Sequence, residues 1–382
     1  GAMAWGLHAD GGIMDIKEAI PLYSVGLFVC CMFFHGELAD LKPAPRYLTS
    51  FYLMVSLGGA LGGLFVGFIA PKFFNTYYEF GIGLVITLAL AAYCARRMHV
   101  VASLLALGVA GFSSYQVYHY IDLLSRDARV MTRNFYGTLR VKDTGAASDN
   151  DSVRRLMHGV IMHGEQYLAP GRRAEPTTYY GPTSGIGIAI AASRSAAPLR
   201  VGVVGLGAGT LAVYGRPGDT YRFYEINPDV IDVARNEFSF LGDSKAKIET
   251  VLGDARLAME REQPQQYDVL AIDAFSSDSI PVHLITREAM AVYLRHIKPD
   301  GVIAFHVTNR FLQLAPVVKQ IADEYKLHAA LVTDVAENSE LAKTDWMLVT
   351  RNGELLKRRE IAGVSAEIPE IPGLRLWTDD FN

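Results

Sequence analysis

Val203-Val204-Gly205-Leu206-Gly207-Ala208-Gly209, followed by Phe223-Tyr224-Glu225-Ile226-Asn227, decides the reading of the fold. An apolar strand runs into a glycine-rich turn, and a second strand ends in a carboxylate. Open α/β sheets build nucleoside pockets this way: the glycines let the backbone approach the ligand, and the acid accepts hydrogen bonds from ribose hydroxyls. The motif is G-x-G-x-G, with Thr210 where a dinucleotide fold usually has its third glycine. Paired with Glu225, it favours a nucleoside without a pyrophosphate, of the S-adenosylmethionine type, over NAD.

Downstream and upstream of this turn, from Leu199 onward, strands and helices alternate. Strands are expected over 200–204, 220–225, 247–252, 267–273, 301–307, 328–333 and 346–350, with helices over 228–238, 285–297 and 311–325. Alternating βα units imply a parallel sheet with right-handed crossovers, and ligands bind at the carboxyl ends of its strands. Gly205, Glu225, Asp254 and Asp273 each fall at or just after such an end. Asp254, in Gly253-Asp254-Ala255, can accept from an adenine amino group, and Asp also fills a helix N-cap well. Asp273 emerges from an apolar strand into Ala274-Phe275-Ser276-Ser277-Asp278, where a carboxylate can bind and deprotonate an attacking amine or fix the local backbone.

Ahead of the sheet, Thr177-Thr178-Tyr179-Tyr180-Gly181-Pro182 reads as a loop able to cover a pocket. Short β-like runs at 135–141 and 158–162 predict a small β-rich subdomain. His158 and His163 have no third ligand at metal spacing, so no metal is expected. His163 and Gln166 are instead candidate pocket contacts, alongside Tyr179 and Asp278. The acidic, aromatic run Trp377-Thr378-Asp379-Asp380-Phe381 reads as a surface tail or a contact for a cation.

The first third of the chain has a different composition. Half of all residues are hydrophobic, and residues from about 20 to 118 hold very few charges. Apolar stretches at about 20–34, 47–70, 79–95 and 98–118 predict membrane-spanning helices, since a bilayer core needs about 20 apolar residues in a helix. Glycines four apart in Gly58-Gly59-Ala60-Leu61-Gly62-Gly63 line one helix face and permit close packing, within the chain or between copies. A lipid bilayer is therefore an expected partner. Net charge is −4, so no global basic field points to nucleic acid. Cys30, Cys31 and Cys94 all lie in apolar segments and form no disulfide framework.

The motifs resemble those of the spermidine synthase (polyamine aminopropyltransferase) family. The runs Met157-His158-Gly159-Val160-Ile161-Met162-His163-Gly164-Glu165-Gln166, Thr178-Tyr179-Tyr180-Gly181-Pro182-Thr183, the glycine turn, Tyr224-Glu225-Ile226-Asn227, Gly253-Asp254-Ala255 and 272–281 carry the resemblance, over about 134–310. The apolar runs before them resemble a membrane-fused bacterial subgroup of that family. The resemblance implies a multi-span α-helical membrane region followed by an α/β class I methyltransferase-like (Rossmann-like) domain with a small N-terminal β-subdomain. The expected organisation is an N-terminal segment 1–19 opening on residues like a cleaved-tag remnant, membrane helices 20–118, a linker and β-subdomain with gating loop 119–198, and a catalytic domain 199–382.

By position, the resemblance implies Asp273 as the amine-activating carboxylate and Tyr180 as the gating-loop tyrosine. Gly205, Gly207, Gly209, Glu225, Asp254 and Ala255 would hold the nucleoside, which is decarboxylated S-adenosylmethionine or S-adenosylmethionine itself. A small amine would be the acceptor, methylthioadenosine the released product, and a homodimer the common assembly of related synthases. The implied location is a bacterial inner membrane with the catalytic domain in the cytoplasm. With four spans that placement leaves Lys42, Arg46, Arg96 and Arg97 outside, against the positive-inside rule. The chain also departs from the family pattern. Ala208 stands where members carry an Asp that holds the donor amine, and Gly181 replaces the glutamine after the gating tyrosine. Loss of the acid at 208 opens the door to intact S-adenosylmethionine as donor, for methyl or aminocarboxypropyl transfer or intramolecular cleavage. A sensor or transporter that binds the nucleoside without turnover is the alternative from another class.

Overall fold

A computed structural model describes residues 1–8, 14–97, 99–146, 149–275, 280–309, 312–335 and 341–381. The chain divides into two compact units, 1–140 and 141–382.

In the first unit, a short helix α1 (Ala2–His8) precedes α2 (Ile16–Asp40), α3 (Leu48–Leu64), α4 (Ala70–Phe73), α5 (Tyr78–Ala95) and α6 (Val100–Ser125). A π-turn at Phe65–Ile69 joins α3 to α4, so that Pro45–Phe73 runs as one span. Among the described residues, four helices are thus long and apolar enough to cross a membrane. Large side chains such as Leu27, Phe28, Met32, Leu53 and Phe68 stand more than half exposed on them. A Cβ at Gly58, Gly59, Gly62 or Gly63 of α3 would meet nothing within 4 Å among the described residues. At the foot of α5, Glu79 receives a two-pronged ion pair from Arg133, at 2.7 and 2.9 Å, with both side chains less than a tenth exposed. Arg133 also donates to the Thr76 carbonyl and lies over the Tyr77 ring. The planar fork satisfies both carboxylate oxygens at once, which makes burial of the pair tolerable.

Strand β1 (Ala128–Asn134) follows α6 directly, and β2 (Gly137–Thr144) comes after the Phe135–Tyr136 turn. The start of the region expected as a linker is thus the end of α6 followed by β1. In the second unit, β3 (Val153–His158) and β4 (Ile161–Tyr167) pair as an antiparallel hairpin. Its turn lies at Gly159-Val160, inside the 158–162 run read as one strand. Gly159 has φ +61°, a conformation that ends a strand.

The main sheet is eight-stranded. Its strands are β5 (Arg200–Val204), β6 (Thr220–Glu225), β7 (Lys247–Leu252), β8 (Tyr267–Ile272), β9 (Ile297–His306), β10 (His328–Asp334), β11 (Thr344–Thr350) and the short β12 (Ser365–Ala366). They lie in the order β12-β10-β11-β9-β8-β5-β6-β7. Strands β5 to β9 are parallel, while β11 runs antiparallel between β9 and β10. This is the class I methyltransferase-like arrangement, and the seven expected strands all appear. The chain reverses its direction of travel across the sheet between β5 and β8, where open α/β sheets place their ligand crevice. The central strands are near-continuous apolar runs because helices cover both faces. These helices include α7 (Gly185–Ala192), α8 (Pro228–Asn236), α9 (Phe240–Asp243), α10 (Ala255–Arg261), α11 (Arg287–His296) and α12 (Ala315–Glu324).

Candidate active site

At the crevice, each parallel strand hands a functional residue to the same sheet edge. Past β5 the chain turns at Gly205, whose amide donates to the Tyr224 carbonyl at 2.9 Å. Gly205 has φ +97°, and a Cβ there would sit 2.3 Å from the Asp273 carbonyl oxygen. Only glycine lets the β5 turn and the end of β8 come this close. Asp273 is tied back by its own amide, which donates to the Val204 carbonyl at 2.8 Å.

The glycine turn is roofed by β4. The His163 carbonyl lies over Gly207, and a Cβ on Gly164 would fall 2.5 Å from the Ala208 Cβ. Ala208 is 2% exposed, so the position that carries an Asp in the resembled family is a packed contact here. The His163 ring meets that of His158 at a tilt of 58°, ring centres 5.2 Å apart. Gln166 is buried with its amide engaged: it donates to the Arg173 carbonyl and Ser239 Oγ and accepts from the Ser239 amide, at 2.8 to 2.9 Å. Those bonds tie β4 to the start of α9, a different job from the pocket contact expected of Gln166.

At the end of β6, Glu225 accepts from the Leu206 amide at 3.1 Å through one oxygen and from the Asn227 amide at 2.9 Å through the other. Burial pushes its carboxyl up from the ordinary carboxylate range, partly offset by the amides of Asn227, Leu206 and Ile226. The carboxylate keeps acceptor capacity for a ligand hydroxyl. After β7, Asp254 caps α10 by accepting from the Leu257 amide at 2.8 Å, with Ala255 as the first helical residue. Its second oxygen lies 2.9 Å from His283 Nε2. Asp254 thus combines the cap role with a place at the edge expected to receive adenine. Asp379, in the C-terminal run, is not a loose surface acid. It pairs with Arg256 at 2.6 and 2.8 Å and accepts from Thr286 Oγ1, which fastens that run to α10 and α11.

Asp273 is the centre of the site. Tyr180 Oη donates to its Oδ2 at 2.5 Å, and His306 Nδ1 lies 2.7 Å from its Oδ1. The carboxylate is 6% exposed and the imidazole 5%. Burial and the Asp273 charge push the Tyr180 phenol well above its ordinary value, so it remains a hydrogen donor. Tyr179 packs edge-on to Tyr180 and donates to the Met162 carbonyl. The tyrosine segment is anchored rather than loose: Thr177 Oγ1 donates to the Glu165 carbonyl, and the Ser184 hydroxyl caps α7. Thr178 takes φ +57°, a costly conformation for a β-branched residue, which the bonds on either side sustain. Asp278 lies outside the described residues.

Sequence reasoning did not single out His306. The rule that selected Glu225 and Asp273, a polar residue capping an apolar strand at the ligand edge, selects His306 when applied to the Ala304-Phe305-His306 end of β9. Replacing Tyr180 by Phe removes one hydrogen bond to a charged group, worth about 1.5 to 3 kcal/mol. Turnover is expected to fall by about 10- to 150-fold, with nucleoside affinity unchanged. Stopped-time product assays beside calorimetric binding check this, and a loss of affinity instead of turnover would assign Tyr180 to the nucleoside.

No family model matches the chain. It is 32% identical over 121 residues to the polyamine aminopropyltransferase of Vibrio vulnificus, covering 30% of this chain and 38% of that protein. It thus spans well under half the length of that relative. Among solved structures it is similar to spermidine synthase from Thermotoga maritima, at 15% identity and TM-score 0.44 over 66% of this chain and 82% of that one. A probable spermidine synthase from Corynebacterium glutamicum gives 17% identity and TM-score 0.44 over 62% of this chain and 96% of that one. Through the matched 121 residues, the chain is related in sequence to a polyamine aminopropyltransferase, the family its glycine turn and strand-end acids resemble.

Proposed function

We propose that the chain is a membrane-anchored aminopropyltransferase-like enzyme. It moves an aminopropyl group from decarboxylated S-adenosylmethionine to a small amine and releases methylthioadenosine. The observation that carries this reading is Asp273, set at the ligand edge of the sheet between the Tyr180 hydroxyl and the His306 ring. A cationic amine is drawn to the carboxylate, which takes its proton. The freed nitrogen lone pair attacks the carbon next to the sulfonium; the carbon–sulfur bond breaks and its electrons neutralise the sulfur. The leaving thioether needs no proton, so positioning and charge supply most of the rate. Glu225 would hold the ribose and Asp254 the adenine edge. The protein would sit in a bacterial inner membrane with this unit in the cytoplasm.

A second reading, transfer from or cleavage of intact S-adenosylmethionine, is favoured by one observation. Ala208 is sealed under Gly164, so no acid at this place opposes a donor carboxylate. Replacing Ala208 by Asp would drive a charge into the β4 backbone and test the fold rather than the preference. The donors themselves are the better probe. Mass spectrometry of the detergent-purified protein with intact or decarboxylated donor, with and without putrescine, separates the readings. Methylthioadenosine plus an acceptor heavier by one aminopropyl group, only from the decarboxylated donor, is the expected result. Methylthioadenosine or S-adenosylhomocysteine from the intact donor moves the second reading to the front. Unchanged nucleoside in every mixture would leave a binding protein without turnover.

Glu225 gives the nucleoside affinity a pH dependence. Its carboxyl is held above the ordinary value in the empty protein, and ribose hydroxyls donate to the anion. Binding therefore releases a proton across the window between the ordinary carboxylate value and the raised one. Affinity for methylthioadenosine is expected to rise with pH through that window, while the empty protein loses stability there, because an acid with a raised folded pKa stabilises only its protonated state. Calorimetry over that range checks it. Glu225→Gln should flatten the profile, and an unchanged slope in that variant would exclude Glu225 as its source.

A further inference from the structure

The end of β9 carries a residue held by aromatic contacts to its ring and at both ring nitrogens, His306. His306 pairs in register with Trp346 of β11, and its ring lies flat on the indole, centres 4.5 Å apart and planes 8° apart. Phe275 meets the ring edge-on at 4.9 Å, and Tyr179 approaches at 5.2 Å. Nδ1 faces Asp273 Oδ1 at 2.7 Å. On the far side, Nε2 lies 2.9 Å from Thr308 Oγ1 and 3.1 Å from Thr344 Oγ1. Thr308 Oγ1 also accepts the Asp345 amide at 2.8 Å.

The hydrogens in this cluster can be placed by elimination. A carboxylate oxygen has none to give, so the hydrogen between Asp273 and His306 belongs to Nδ1. Tyr180, held as a phenol, supplies the hydrogen to the other carboxylate oxygen. Nε2 is then an acceptor, served by a threonine hydroxyl. If the ring gains a second proton, the same hydroxyls turn to accept it. Nδ1 carries hydrogen in either state.

We propose that His306 is a positioning residue for Asp273. Asp273 sits one residue past the end of β8, where the ladder no longer fixes its side chain. The Trp346 stack and the two threonines set the plane of the imidazole, and its Nδ1–H sets the plane of the carboxylate. Oδ1 and Oδ2 are thereby held by separate donors, leaving their remaining lone pairs aimed in one direction for the amine. The proposal rests on the reading of Asp273 as the group that takes the amine proton. The His306 tautomer does not depend on that reading.

Two measurements test it. In [15N]histidine-labelled protein, the His306 signal, assigned by its loss in His306→Asn, is expected to show a protonated Nδ1. A ring protonated at Nε2 alone overturns the proposal whether or not the protein turns over. In kinetics, His306→Leu is expected to lower kcat by about 10- to 100-fold with donor KM within about twofold, because misorientation of a reacting group costs rate rather than binding. His306→Asn, whose amide can still donate to Oδ1, is expected to recover most of that loss. A folded Leu variant with unchanged kcat, or an Asn variant no better than Leu, refutes the role. Should the Leu variant fail to fold, Thr344→Val decides. It removes one of the two hydroxyls that hold Nε2, leaving Thr308, and is expected to lower kcat by a few-fold at unchanged donor KM, and no change counts against the proposal. If wild-type protein turns over no donor with any amine, the functional reading falls and the tautomer alone judges the His306–Asp273 bond.

Discussion

Asp273→Asn is expected to lower turnover by about 10²- to 10⁴-fold, the usual contribution of a positioned acid–base group. The substitution suits the site because it changes charge and basicity while preserving shape. An amide at 273 can present its oxygen to His306 Nδ1–H and its nitrogen to the Tyr180 oxygen, so both contacts found at 2.7 and 2.5 Å have a substitute. The backbone bond to Val204 is untouched. Binding of methylthioadenosine should therefore remain within about threefold, since the amide replaces the carboxylate without vacating space, while the amine loses its proton acceptor. The assay is single-turnover product formation beside calorimetric binding of the nucleoside. Near-normal turnover would remove Asp273 from the chemistry and return it to the role of a loop acid. Equal losses in binding and turnover would mean that Asp273 serves the donor instead of the acceptor.

Asp273 was legible in the sequence because an acid at the end of a buried apolar strand carries a desolvation cost that a ligand or a nearby donor must offset. The same holds for Glu225, and the glycine turn beside it was equally plain. These features are local: a strand, its end, and the residue that follows. The apolar runs that became the central strands were clear too, since burial on both faces leaves no alternation to confuse them. His306 was not legible in this way. Its importance depends on β9 lying beside β8 and on β11 returning antiparallel to bring Trp346 and Thr344 against it, and such pairings are set by topology.

Gln166 erred in the opposite direction. A buried amide next to a glycine-rich turn reads as a ligand contact until the chain is folded, when Ser239 and Arg173 claim it. The hairpin around Gly159 was misread because hydrophobic side chains flank the turn as they would fill a strand. In α3, glycine spacing marks a helix face open to close approach but carries no information about what approaches it, and among the described residues nothing does. Spacing describes one helix; contact needs two.

Gly205→Ala is expected to lower turnover by about 10²-fold, the cost of moving a reacting group by about an ångström. The added methyl would stand 2.3 Å from the Asp273 carbonyl oxygen and 2.9 Å from its carbonyl carbon. Both are backbone atoms, so no side-chain rotation relieves the contact. Something must shift, and the atoms in the way belong to the residue that performs the proposed chemistry. The backbone conformation adds to the conflict, because φ +97° is one that alanine rarely adopts and costs on the order of 1 to 3 kcal/mol. Two consequences separate this variant from Asp273→Asn. Nucleoside affinity should fall together with turnover, since the Leu206 amide that Glu225 accepts from follows Gly205 directly. Thermal stability should also drop, where Asp273→Asn leaves it nearly unchanged. A Gly205→Ala protein that binds methylthioadenosine normally and turns over normally would mean that the β5 turn and the end of β8 stand farther apart in solution than this contact requires. The sheet edge would then tolerate a displaced Asp273, and the close contact at Gly205 would not be what positions the carboxylate for the transfer.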